Sequence, residues 1–172
     1  MSLQIQLLID ALTRANISDG EPVESVAAKI VNHLNPKLRE VERSETKVVV
    51  DVTSSVDAGI FCALTTGNPK IADYAFPDGK QSGLVRFGQC DRLVADVLGE
   101  TLISVVEIAF TRQVPVGDTV RLTIERGAAV PNEKLRGFVT KNTITGVLLP
   151  SGKPMMRPST VITHRPFECP TR

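Results

Sequence analysis

The side chains between Gly83 and Gly117 that could attack carbon or move protons include Cys90, Asp91, Asp96 and Glu107. Cys90 lies near the start of a helical pattern, where a helix N-terminus lowers a thiol's pKa. A cysteine nucleophile also needs a base, and neither histidine, His33 or His164, has a motif spacing to it. No Cys–His pair is expected. Asp91 stands beside Arg92 on another helix face from Asp96 and reads as an exposed ion pair. Taken by itself, Asp96 in the last helical turn reads as a solvated or capped carboxylate. Glu107 sits in a strand on the face opposite Val106 and Ile108, and so reads as outward-facing. His164, in the final strand, reads as structural, and no Asp/His pair has a spacing suited to a dehydratase.

Those residues need a helix and a strand to position them. Leu84, Phe87, Leu93, Val94, Val97 and Leu98 recur at mostly helical spacing, and Gly99 stands where a C-terminal glycine belongs. Leu102 to Val114 is rich in Val, Ile, Phe and Thr, as a half-buried strand is. The sequence Val114-Pro115-Val116-Gly117-Asp118 turns it into a second strand, Thr119 to Glu125, with Val120, Leu122 and Ile124 alternating with polar neighbours. Upstream, Thr46 to Thr53 and Gly59 to Thr66 read as strands, joined across Val56-Asp57-Ala58-Gly59. Downstream, Arg126 to Lys134 reads as a loop, Lys134 to Leu149 as one strand or two, and Ser159 to Arg165 as the last strand.

The N-terminal part is different. Leu7, Leu8, Ala11 and Leu12 mark one amphipathic helix. Val23, Val26, Ala27, Ile30, Val31 and Leu34 mark a second, with Pro22 at its first turn and Asn35-Pro36 at its end. A helix-turn-helix would want a basic face and a recognition helix, whereas the charge here is balanced, so packing against the main domain is expected. Residues 37 to 45 carry dense charge of both signs and read as a solvated linker. The chain therefore divides at 1–45 and 46–172, and a helical hairpin followed by strands, one helix and a run of strands is α+β.

Composition narrows the function classes. A net charge of +1 over 172 residues, without a basic tract, gives no footprint for nucleic acid. No apolar run is long enough to span a membrane, and no signal peptide is visible. Cys62, Cys90 and Cys169 lack CxxC or Cys/His spacing, so no zinc site is expected and a reducing cytoplasm is the expected location.

Residues Thr46 to Pro166 resemble the hotdog-fold acyl-CoA thioesterases, including the phenylacetate-degradation type. Phe87-Gly88-Gln89 takes the place of that family's His-Gly-Gly, and Leu93-Val94-Ala95-Asp96 resembles its Leu-Ala-Asp. The strand ISVVEIAFTRQVPVGDTV is similar to the family's next strand and turn, and LLPSGKPM to its later turn. The phrase FTRQV is also similar to the hotdog domain of acyl-CoA-responsive repressors of fatty-acid synthesis, which bind ligand without hydrolysing it.

The resemblance implies an antiparallel sheet wrapped around a central helix, paired as a homodimer or homotetramer with the site between protomers, and no cofactor or metal. It implies that Asp96 activates water and that the backbone N–H of Gly88 or Gln89 polarises the thioester carbonyl. Asp91 is the alternative carboxylate if the register shifts. Phe87 would line the substrate, and Arg112, Lys134 and Arg136 would meet the phosphates of coenzyme A. A binding module without hydrolysis, or a structural hotdog dimer, are the competing expectations.

Overall fold

The computed structural model describes residues 3–34, 36–58, 80, 81, 86 and 94–167. Two helices come first, α1 (Leu3–Arg14) and α2 (Val23–Leu34), as the apolar spacing predicts. Pro22 precedes α2 directly, and Glu21 beside it accepts hydrogen bonds from the Ser18 amide, the Ser25 hydroxyl and the Lys29 ammonium. Lys29 and those donors hold the Glu21 carboxyl down at about 2.

The strands are β1 (Lys37–Arg43), β2 (Lys47–Thr53), β3 (Lys80–Gln81), β4 (Thr101–Glu107), β5 (Val114–Pro115), β6 (Thr119–Asn132), β7 (Gly137–Leu148), β8 (Lys153–Pro154) and β9 (Ser159–Pro166). The main sheet is antiparallel throughout in the order β1-β2-β6-β7-β9-β4, with β8 paired to β7, while β3 and β5 pair separately. Helices followed by an antiparallel sheet make the α+β class expected from the sequence.

Alternation sets the register. Val48, Val50 and Val52 of β2 lie beside Ile124, Leu122 and Val120 of β6, and with Ile144, Val161, Met155 and Met156 they form the core. The helical run before β4 is described at Arg86 and in a π-helical turn, Val94–Leu98. Val94 is buried, Val97 and Leu98 pack on the sheet core, and Gly99 ends the turn at a φ of 64° with its N–H on the Ala95 carbonyl.

Three expectations change. Residues 37–43 are not a solvated connection: they form edge strand β1, paired with β2 from Lys37↔Thr53 to Arg43↔Val48. Charge of both signs suits an edge whose outer groups face water, so the same composition fits a strand. The segment after Glu125 is not a loop either. β6 continues to Asn132 across a bulge between Arg126 and Ala129, and a Cβ on Gly127 would stand 2.4 Å from the Lys141 carbonyl oxygen. Glycine there marks close backbone approach at a bulge rather than a break. Finally, the strand expected over Leu102 to Val114 stops at Glu107, and Phe110 keeps only a single bridge to Met156. The expected strand Gly59 to Thr66 lies outside the described residues.

Candidate active site

Asp96 occupies the middle of the π-helical turn, and its side chain is exposed while Val94 beneath it is 1% exposed. The turn is held from two sides. Val97 and Leu98 press on the core, and the Arg43 guanidinium donates to the Val97 carbonyl at 2.9 Å. An exposed carboxylate on an anchored turn can accept a proton from water. Phe87, Gly88, Gln89, Cys90 and Asp91 lie outside the described residues.

Just before them, Arg86 is buried. Its guanidinium lies 4.2 Å from the centre of the Phe110 ring and donates to the Arg112 carbonyl at 2.6 Å. Arg112 itself is exposed and donates its backbone N–H to Met155. Lys134 and Arg136 are exposed on the turn between β6 and β7, at the far end of that strand pair. Met155 bonds to Gly146, whereas the turn precedes Gly137. At a strand rise of ~3.4 Å per residue, those two ends of β7 stand roughly 30 Å apart. Arg112 is thus beside the start of the helical run, and Lys134 and Arg136 are together but distant from it.

His164 has the structural role expected, donating from Nε2 to the Leu135 carbonyl at 3.0 Å. Glu107 is exposed on edge strand β4, yet so is its neighbour Val106, because the register shifts between Val105 and Glu107 and simple alternation fails there.

The structure also reveals three buried carboxylates that sequence reasoning missed. Asp51 of β2 accepts from Arg121 Nε at 2.7 Å and from Arg39 Nη2 at 2.6 Å. Arg121 chiefly, then Arg39, pulls its carboxyl down to about 2 against the cost of desolvation. The signal was present: an acid inside KVVVDVT needs cross-strand cations, and Arg39 and Arg121 are its register partners. Asp57, 1% exposed, accepts from Arg14 Nε at 2.9 Å and from His33 Nε2 at 2.8 Å. The Arg14 hydrogen bond holds its carboxyl below the usual range. Nothing in the sequence pairs a turn residue with two helix ends.

Glu100 follows the Asp96 turn and is ion-paired with Arg126. Its second oxygen accepts from the Thr163 hydroxyl, which in turn accepts from Asn142 Nδ2 at 2.8 Å. Glu100, Thr163 and Asn142 are all buried, which shuts this carboxylate from solvent while Asp96 remains open to it. Among the described residues, no group of three or more His, Cys, Asp or Glu side chains converges as a metal site. A cavity of about 200 Å³ opens where β2 ends, lined by His33, Lys37, Thr53, Ser55, Val56 and Gly117 among others.

No sequence-family model matches the chain, and no curated protein matches it by sequence. Solved structures do match by shape. An R-hydratase from Pseudomonas aeruginosa superposes with a TM-score of 0.53 at 17% identity, covering 74% of this chain and 84% of that one. A hypothetical thioesterase from Streptococcus pneumoniae, solved with coenzyme A, gives 0.52 at 10% identity over 74% and 84%. A mutant of the phenylacetic acid degradation protein PaaI from Thermus thermophilus gives 0.51 at 14% identity over 79% and 97%. The chain has the hotdog fold that the sequence resemblance implies. No helix among the described residues is long and apolar enough to cross a membrane.

Proposed function

We propose that this protein is an acyl-CoA thioesterase in which Asp96 activates the hydrolytic water. The observation that carries the reading is the contrast at the end of the helical run: Asp96 is exposed to solvent, whereas Glu100 is buried against Arg126. The hotdog fold shared with a thioesterase solved with coenzyme A supports the ligand class. In the reaction, Asp96 takes a proton from water as its oxygen attacks the thioester carbonyl carbon. The oxyanion is met by the backbone N–H of Gly88 or Gln89, with Phe87 beside the acyl group. Collapse breaks the C–S bond, and the proton passes to the departing sulfur to give free coenzyme A and a carboxylic acid.

Arg112, beside the start of the helical run through Arg86, is the cation best placed for a phosphate of the same ligand. Lys134 and Arg136 serve a phosphate only from the opposite end of the sheet. The working unit is a homodimer or a pair of dimers, joined through β4, whose Ile103 and Val106 are 43% and 61% exposed on an edge. A cytoplasmic location belongs to the same proposal.

A second reading is favoured by one sequence observation: Phe87 and Gln89 stand where the related thioesterases have histidine and glycine. On that reading the protein binds acyl-CoA without hydrolysing it. A panel of short, long and aryl acyl-CoAs, followed by thiol release, separates the two. Turnover of any member supports the thioesterase, and ligand binding without turnover selects the binding module.

A further inference from the structure

The α1–α2 hairpin is joined to the sheet in an unusual way. Among the described residues its buried cluster is its own: Ala11 and Ala15 are buried against Leu12, Ile17, Ile30 and Leu34, all within the hairpin. α2 buries none of its residues, and Val23 and Val31 are 78% and 56% exposed. Among the described residues, the side-chain hydrogen bonds between hairpin and sheet domain converge on one group, the Asp57 carboxylate. Asp57 lies shortly after β2, and it is reached by the last residue of α1, Arg14, and by His33 in the last turn of α2. Arg14 at the end of α1 complements the negative end of that helix dipole, and the His33 imidazole stands at the corresponding end of α2. His33 also walls the cavity at the end of β2, opposite Ser55 and Val56.

We propose that the hairpin is a clamp that docks and undocks as one unit, with Asp57 as its latch and the cavity at the end of β2 as the space it closes. Docking brings Arg14 and His33 onto one carboxylate. Undocking takes the Arg14 guanidinium and the His33 imidazole off Asp57 and removes the His33 wall from the cavity. Among the described residues, the other charges placed there are Lys37 of β1, which lines the cavity, and Asp10 of α1, which lies near Arg14. Neither replaces the contact to Asp57. The sheet's core cluster is separate from that of the hairpin.

The clamp is tested by amide hydrogen exchange on the full chain. Isolated helices of 12 residues are marginal in water, so amides of an undocked hairpin exchange. In Asp57→Asn, exchange in α1 and α2 is expected to speed up on the order of tenfold, while β2, β6 and β7 keep their protection. Unchanged hairpin protection overturns the proposal. Equal loss of protection in hairpin and sheet also overturns it, because the two would then be one cooperative unit. If Asp57→Asn does not fold, Arg14→Gln, altering a side chain that is 45% exposed, gives the same readout with the same two overturning results.

Discussion

The two edges of the main sheet solve one problem in opposite ways. β1 exposes all seven of its residues, KLREVER, and five of them are charged. Arg43 pairs with Glu40, and Glu42 with Lys47, so the outer row carries fixed charge along its length. β4, TLISVVE, has a single charged residue, Glu107, and leaves Ile103 and Val106 in solvent. Both strands have register shifts, one in β1 and two in β4, so bulging does not distinguish them. Charge does. An edge lined with both signs is closed to a further strand, because pairing would strip water from those groups. An apolar edge gains by being covered. The sheet is therefore asymmetric: β1 is a charged edge and β4 an apolar one, which is why the proposed dimer is joined through β4.

Four substitutions or conditions break or sharpen that contrast. The largest effect is expected at the foot of β4. Glu100→Gln leaves the partly buried Arg126 without its anion and should cost roughly 3 kcal/mol in denaturant unfolding. For a chain of this size that is a fall of roughly 6–12 °C in melting temperature. A loss below about 1 kcal/mol would mean the pair does not anchor β4. Next, Val106→Lys gives β4 the character of β1. If β4 is the dimer edge, the dissociation constant rises at least ~30-fold in sedimentation, about 2 kcal/mol. Identical association of wild type and variant would move the interface elsewhere.

The third effect is acid-dependent and sits behind β1. The Asp51 carboxyl is held at about 2 against an ordinary 3.8, chiefly by Arg121. Its folded value is depressed, so its contribution is complete above the ordinary value and is lost as pH falls from 3.8 through about 2. Urea midpoints should fall over that window in wild type, with a shallower fall in Asp51→Asn. Matching slopes would assign the acid sensitivity to other carboxylates. The smallest effect is on the β1 surface: Glu42→Gln loses an exposed pair with Lys47, and the melting temperature should not move measurably.

What the sequence made legible follows the same division. Val48, Val50 and Val52 against Val120, Leu122 and Ile124 could be read from alternation, because a period of two has one solution once a face is buried. Gly99 closing the helical turn was legible for a similar reason, since few residues accept its φ. β1 was not, because dense charge describes a linker and a protected edge equally well. Gly127 and Pro131 read as loop signals, yet they lie within β6, where a bulge, not a turn, uses the glycine. Of the site, the exposed position of Asp96 suits its expected role, while the Glu100–Arg126–Thr163 cluster gave no sequence signal. Its members meet through the pairing of β6, β7, β9 and the start of β4, next to Glu100. Lys134 and Arg136 were grouped with Arg112 by charge alone, and the length of β7 separates them.

The most direct test of the account compares turnover with binding in Asp96→Asn. Thiol release is followed on the best acyl-CoA of the panel, and coenzyme A affinity is measured by calorimetry on the same preparation. Removing a general base should lower kcat on the order of 100-fold or more while the dissociation constant for coenzyme A stays within about twofold. Unchanged kcat in Asp96→Asn, or a folded wild-type protein that binds coenzyme A and hydrolyses no thioester, would contradict it.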